Sequence, residues 1–182
     1  MHALSEYTFT VDSVAAGATS VQNYDIRWNH PVAAMFWTYN DNTRMEQGDV
    51  FNYQGAGSAA APLDPLLAAQ IFVNGSQFTA NHGPLYYRQL QPALFANRVP
   101  KRHVYYHSFG RRGMDVTNPS GALNYAFIDS CRLRVQWTAA ATGAVTGTSG
   151  DGSLGAGILR VFGIGWNAAE AKNASFVLKF LA

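Results

Sequence analysis

The chain has 182 residues, one cysteine and a formal net charge of +2, with 48% hydrophobic and 13% charged residues. The length predicts a single domain over residues 1–182, the lone cysteine excludes an intrachain disulfide framework, and the near-neutral charge argues against a dedicated polyanion binder. Because the charged fraction is about half of the usual ~25%, we expect much of the surface to be buried against other molecules.

Alternation of apolar and polar residues with period two dominates the chain, and clusters of Gly, Pro, Asn and Asp separate the alternating segments. This pattern predicts an all-β protein, an antiparallel sandwich of eight strands in two facing sheets. The predicted strands cover residues 7–12, 20–28, 34–39, 69–73, 103–109, 131–138, 158–166 and 175–181. In the sixth, Leu133, Val135 and Trp137 alternate with polar residues, so one face is predicted to line the core.

The predicted strands are joined by long loops, and loops of such length usually serve a function. The three longest cover residues 41–68, 74–102 and 110–130. Within the second, the apolar spacing over residues 84–97 predicts a short helix that Pro92 breaks or kinks. Residues 139–157 are rich in Gly, Ala, Ser and Thr and cannot fill a core. We interpret them as an exposed loop, or as a tip that orders against a neighbouring subunit or a host receptor.

Residue constellations that carry chemistry are missing from the sequence. There is no Gly-x-Ser-x-Gly nucleophile elbow, and no His-x-His pair accompanied by a glutamate. On one strand, His103 and His107 would lie about 13 Å apart, too far to bind one metal ion directly. We therefore predict no catalytic, metal or cofactor site and a function other than catalysis. The basic residues between Arg98 and Arg112 favour a solvated or subunit-pairing face over a nucleic-acid groove.

Several short motifs occur in a fixed order along nearly the whole chain, beginning with NHPV and a tryptophan five residues later. Their residues are Asn29, His30, Pro31, Val32 and Trp37, then Asn74 and Gly75, then Pro119, Ser120, Gly121, Asn124, Ile128 and Asp129, and finally Asn167. The NHPV and PSG segments are typical of strand ends and turns, because proline lacks an N–H donor and glycine permits unusual backbone angles. These residues predict a scaffold and not a reactive site.

Taken together, the motifs resemble those of the major capsid proteins of nucleocytoplasmic large DNA viruses, which contain two jelly rolls in tandem. The match is to the second, C-terminal roll. The resemblance implies a jelly-roll fold and a structural virion protein that forms an icosahedral capsid through trimeric pseudo-hexagonal capsomers. Implied partners are copies of the chain, neighbouring or minor capsid proteins and an inner viral membrane, with no specific nucleic acid and no cofactor.

Two alternatives remain open at this stage. A single roll also suits a stand-alone vertex (penton) or minor capsid protein, which would assemble as a pentamer. Jelly rolls also serve as carbohydrate-binding modules that use exposed aromatic platforms.

Overall fold

The computed structural model describes residues 2–15, 21–54, 64–96, 98–115, 118, 120–138, 156–172 and 175–178. Within these residues the strands are β1 (His2–Val14), β2 (Val21–Ile26), β3 (Pro31–Asp41), β4 (Leu66–Val73), β5 (Ser76–Gln77), β6 (Tyr105–Ser108), β7 (Leu123–Asn124), β8 (Cys131–Trp137), β9 (Gly157–Lys172) and β10 (Ser175–Leu178). The helical segments are α1 (Asn42–Glu46), a π-helix (Tyr86–Leu90), α2 (Gln91–Phe95) and a 3-10 helix (Tyr125–Phe127).

The strand pairing is that of a long hairpin rolled up on itself. β1 pairs with β9, β2 with β8, β3 with β6 and β4 with β5, all antiparallel. Further pairing of β3 with β9 and of β4 with β8 produces two sheets, ordered β1-β9-β3-β6 and β2-β8-β4-β5. This is the jelly-roll topology, and it confirms the predicted all-β antiparallel sandwich.

Seven of the eight predicted strands belong to the roll, and the eighth strand of the roll is β5 instead of the predicted segment 175–181. Each predicted segment contains a strand, but β5 has only two residues and gives no alternation to detect. β10, predicted as the eighth strand of the sandwich, instead pairs with the far part of β9 as an addition to the first sheet. Ser20 and residues 179–181, at the ends of two predicted strands, lie outside the described residues.

The predicted short helix is present, and next to Pro92, where a break or kink was predicted, it changes from a π-helix to an α-helix without ending. The N–H of Gln91 donates to the carbonyl of Tyr86, five residues earlier, in the wide turn of a π-helix. Because Pro92 has no N–H to donate and its ring crowds the preceding turn, a wider turn at this point lets the helix continue. Helix α1 was not predicted from the sequence.

Aromatic side chains fill the space between the two sheets. Trp37 is fully buried, stacks on Tyr105 with 5.8 Å between ring centroids, and meets the edge of Tyr87 at 4.9 Å. Trp137 packs against Tyr39 at 5.4 Å. Alternate residues of β8 are buried, as predicted. Much of the chain's 13% aromatic content therefore lies in the core.

The antiparallel pairing separates the connections into two ends of the sandwich. The turn end has the β2–β3 and β4–β5 turns and the described residues between β6 and β8. At the loop end β3, β5 and β8 end and β4, β6 and β9 begin. The described residues of the predicted loop at 110–130 thus lie at the turn end, while residues 139–155 of the predicted Gly-rich loop lie outside the described residues. Among the described residues, no helix has the length and apolar character needed to cross a membrane.

Candidate assembly surfaces

Motif residues of the β2–β3 turn and of the segment before β8 meet at the turn end. Pro31 pairs with Asn124 in the short β3–β7 ladder. The N–H of Tyr125 donates to the carbonyl of His30 at 3.3 Å. The Asn124 side chain accepts from the N–H of Ala126 at 3.1 Å and caps the 3-10 helix. Two segments that are distant in sequence are thereby fixed to each other.

A second tie at this end involves the β4–β5 turn. Asn74 and Gly75 have φ values of 49° and 76°, as a two-residue hairpin turn with positive φ at both positions requires. The N–H of Asn74 donates to the carbonyl of Ser130 at 2.8 Å, and the N–H of Ser130 donates to Oδ1 of Asn74 at 3.1 Å. Asp129, next to Ser130, is exposed, and Ile128 packs against the edge of the core.

The PSG motif contacts the chain just after β6. The Ser120 hydroxyl accepts from the N–H of Arg112 at 2.7 Å. Gly121 has φ of 144°, and a Cβ on Gly110 would lie 2.5 Å from the Gly121 carbonyl oxygen. Both glycines are therefore required by a close backbone approach. Pro119 lies outside the described residues.

The remaining motif residues differ in their surroundings. Asn29 is exposed in the β2–β3 turn, while Val32 and Asn167 are buried near the same end. Trp37 alone lies in the middle of the core. Sequence reasoning missed Gly165, where a Cβ would lie 2.1 Å from the carbonyl oxygen of Pro31, because this contact depends on a strand register that the sequence does not reveal.

The outer face of the first sheet carries a row of aromatic residues. Phe9, Phe162, Phe36 and Tyr106 are consecutive cross-strand partners on β1, β9, β3 and β6. The row goes from buried to exposed: Tyr106 is buried, Phe162 is 39% exposed and Phe9 is 69% exposed. Cross-strand aromatic pairs stabilise a sheet, but rings this exposed leave apolar surface in contact with water.

The exposed end of this row forms an apolar surface, which we call the β1 patch. It consists of Tyr7, Phe9, Val11 and Phe162. Period-two alternation places the three β1 residues on one face, with Phe162 as the cross-strand partner of Phe9. The sequence predicted that apolar interface positions exist, but it could not separate them from core positions.

A second apolar surface, the helix patch, lies along the helical segment of the β5–β6 connection. It consists of the exposed residues Leu85, Leu90, Leu94 and Val99, and part of it lines a groove of about 670 Å³. The helical segment is tied to β6, since Tyr106 Oη donates to the Phe95 carbonyl at 3.4 Å. β1 and β6 are the two ends of the first sheet's strand order, so the two patches lie on opposite flanks of the roll.

A partly buried carboxylate, that of Asp64, connects two loop segments to the sandwich. Asp64 accepts hydrogen bonds from the Tyr105 hydroxyl and, at 2.9 Å, from Nη1 of Arg88. Burial, together with the neighbouring Asp64 carboxylate, raises the pKa of Tyr105 well above its usual value. Burial lowers the pKa of His103, and it lowers the pKa of His107 to about 4. In the part of the chain that is described, no three His, Cys, Asp or Glu residues are grouped to hold a metal ion.

The described residues thus form a scaffold with two apolar flanks. Comparison with known families shows which proteins share this scaffold. The family model described as large eukaryotic DNA virus major capsid protein matches residues 6–167. The chain belongs to this family. Membership confirms the resemblance found in the sequence, and because these are structural capsid proteins, it also confirms that the chain is not an enzyme.

Similar solved structures support the same fold. A quasi-atomic model of the PBCV-1 virus capsid superposes with a TM-score of 0.79 at 19% identity, covering 100% of this chain and 52% of that one. PBCV-1 VP54, fitted into a reconstruction of the virophage Sputnik, gives 0.77 at 21% identity, with 100% and 51% covered. The Faustovirus major capsid protein gives 0.69 at 10% identity, with 97% and 34% covered.

This chain therefore spans about half the length of the PBCV-1 chains that it matches, and about a third of the Faustovirus chain. No curated protein sequence matches it.

Proposed function

We propose that this chain is the C-terminal jelly roll of a capsid subunit that builds the icosahedral shell of a large DNA virus through trimeric pseudo-hexagonal capsomers. Membership of the capsid family supports a shell function in the virion. The half-length coverage of the PBCV-1 chains supports a subunit with a second roll. The motif order, which resembles that of the second roll, supports the C-terminal position.

The observation that carries the proposal is the pair of apolar patches on opposite flanks. A contact between two different surfaces is heterologous, and repeated heterologous contacts generate a ring when the rotation closes. In a trimer of double rolls, six rolls stand around one ring, and each roll needs a surface on either side. The β1 patch and the helix patch provide these two surfaces. Their burial also accounts for the low charged fraction.

The two ends of the roll suit different sides of a shell. We place the loop end outward and the turn end toward the inner membrane and minor capsid proteins. The basic residues of the sequence are divided between the ends, because Lys101 and Arg102 precede β6 while Arg111 and Arg112 follow it. Exposed arginines at the turn end are compatible with an anionic membrane surface.

The proposal is tested by the assembly of the protein that contains this chain, measured by sedimentation velocity and electron microscopy. Phe9→Asp places a charge in the centre of the β1 patch, so we expect trimers to dissociate at concentrations at least tenfold higher than for wild type. Phe127→Asp is the matched control, because Phe127 is 84% exposed and lies outside both patches.

Trimers of equal stability for Phe9→Asp and wild type would rule out the β1 patch as the contact. A wild-type pentamer would favour the vertex protein instead. A stable monomer that binds glycans through exposed aromatic residues would favour the carbohydrate-binding module.

A further inference from the structure

A polar pocket opens at the loop end, and its lining includes no residue of either apolar patch or of the turn-end motifs. It has a volume of about 250 Å³ and lies between residues 49–54, which follow α1, and residues 101–103, which precede β6. We call it the loop-end pocket. Its size is below the usual range for drug-sized ligands, so it fits a single ring with its substituents.

The walls of the pocket are held in place before any ligand arrives. Nη1 of Arg102 donates to the Phe51 carbonyl at 2.7 Å, and the guanidinium lies over the Phe51 ring, 5.6 Å from its centroid. The N–H of Asn52 donates to the Asp49 carbonyl at 3.2 Å, and its side chain donates to the Asp49 carboxylate at 2.7 Å. Preformed walls lower the entropy cost of binding.

The anchor of this loop is β3 itself. Nδ2 of Asn40, which is buried near the end of β3, donates to the Val50 carbonyl at 2.8 Å. The loop-end pocket therefore sits on a rigid strand and not on a free loop.

The types of side chain in the pocket indicate the chemistry of its ligand. Phe51, which is 66% exposed, and Tyr53 offer aromatic faces against which the apolar side of a sugar ring can stack. Asn52 and Gln54 supply amide groups that exchange hydrogen bonds with hydroxyls. Arg102 presents a fork of donors that matches a planar anionic group.

The charge balance of the pocket selects for one negative charge. Lys101 and Arg102 contribute two positive charges and Asp49 one negative charge, which leaves a single positive charge. Burial lowers the pKa of His103, so its imidazole is neutral, and no described group hydrogen-bonds to its buried Nδ1. A monoanion leaves the occupied pocket electrically neutral, whereas a dianionic phosphate would leave one uncompensated negative charge and cost more desolvation.

We propose that the loop-end pocket binds a monoanionic sugar, one ring bearing a single carboxylate or sulfate group. The anionic group lies against Arg102 and Lys101, the ring stacks on Phe51, and its hydroxyls contact Asn52 and Gln54. Every residue of the pocket comes from one copy of the chain. Binding is therefore independent of capsomer assembly, and failure of one proposal leaves the other standing.

The probes are glucuronic acid and glucose 6-sulfate, with glucose and glucose 6-phosphate as comparisons, measured by saturation-transfer NMR and calorimetry on the full chain. We expect at least one monoanionic sugar to bind at least tenfold more tightly than glucose and more tightly than the phosphate. Tighter binding of glucuronic acid identifies the carboxylate as the natural group, and tighter binding of glucose 6-sulfate identifies the sulfate.

Matched variants locate the binding. Arg102→Ala should weaken it at least tenfold and Arg102→Lys by less, while Arg111→Ala, at the turn end, should leave it unchanged. Phe51→Ala should weaken it, whereas the control Phe127→Ala, at an exposed phenylalanine outside the pocket, should not. Three results would overturn the proposal: equal affinities for glucose and the monoanionic sugars, no binding of either monoanionic sugar by about 10 mM, or equal effects of Arg102→Ala and Arg111→Ala.

Discussion

His107 makes the stability of the roll sensitive to mild acid. Its side chain is buried on β6 among aromatic rings, with Phe109 at 5.1 Å and Phe78 at 6.0 Å between centroids. No described group hydrogen-bonds to either ring nitrogen. Burial, reinforced by His82, lowers the pKa of His107 to about 4, because the protonated form is costly in this apolar site.

The magnitude follows from linkage between protonation and folding. An unfolded histidine has a pKa of about 6.5, so the unfolded chain binds the proton first as the pH falls. The stability from neutral His107 is complete above about pH 6.5 and is lost as the pH falls toward the folded pKa. With a folded pKa of about 4, the loss is about 2 kcal/mol between pH 7 and pH 5, and about 3 kcal/mol at pH 4.

The assay compares wild type with His107→Phe, which keeps an aromatic ring in the site and removes the titration. Urea unfolding, followed by tryptophan fluorescence, gives the unfolding free energy of each protein at pH 7 and pH 5. All carboxylates are common to both proteins, so the difference between the two curves isolates His107. We expect wild type to lose about 2 kcal/mol more than the variant. Parallel pH dependences would show that His107 titrates normally in the folded protein and refute the reasoning.

Two further predictions concern the turn end. Gly165→Ala should destabilise the roll by about 3 kcal/mol or more, since its Cβ would lie 2.1 Å from the Pro31 carbonyl oxygen. The control Gly83→Ala should be tolerated, because its Cβ would have no contact closer than 3.8 Å. Thermal melts with equal midpoints for the two variants would contradict this prediction. Asn74→Ala should lower the free energy of unfolding by about 2 kcal/mol, because it loses the hydrogen bond from the Ser130 N–H and strains a positive φ. Asn74→Gly should lower it by about half as much, because glycine adopts a positive φ without strain. Urea unfolding ranks the two variants, and the reverse order would refute the turn argument.

The sandwich was predictable because its strands obey period-two alternation over long runs. Prediction failed where a segment was too short to show a pattern, and where alternation did not reveal which strand the segment pairs with. β5 has two residues, and α1 has five, too few for either pattern to appear. The segment at β10 alternates like a core strand, yet among the described residues its pairing partner is the extension of β9 beyond β3. Pairing partners are set by register, and register is not visible in a single strand's sequence.

The candidate sites were less predictable than the sandwich, because they depend on which side chains are exposed and on which distant segments meet. Exposed and buried aromatic residues read alike in sequence: Phe36 and Trp37 are neighbours, but only Trp37 faces the core. The β1 patch became visible once the register placed Phe9 beside Phe162. The loop-end pocket required a similar step, because residues 49–54 and 101–103 are about fifty positions apart and no short motif joins them.

The two ends of the roll are under different physical constraints, and this bears on how a shell protein acquires binding specificity. At the turn end, main-chain atoms of Pro31 and Ser130 contact Gly165 and Asn74, so substitutions at those two positions would disturb contacts that form the roll. At the loop end, the pocket is lined by side chains anchored through one strand. β3 has 11 residues and separates the ends by roughly 35 Å. Substitutions within 49–54 can therefore change ligand choice without altering the contacts that form the roll, since sites this distant usually act additively.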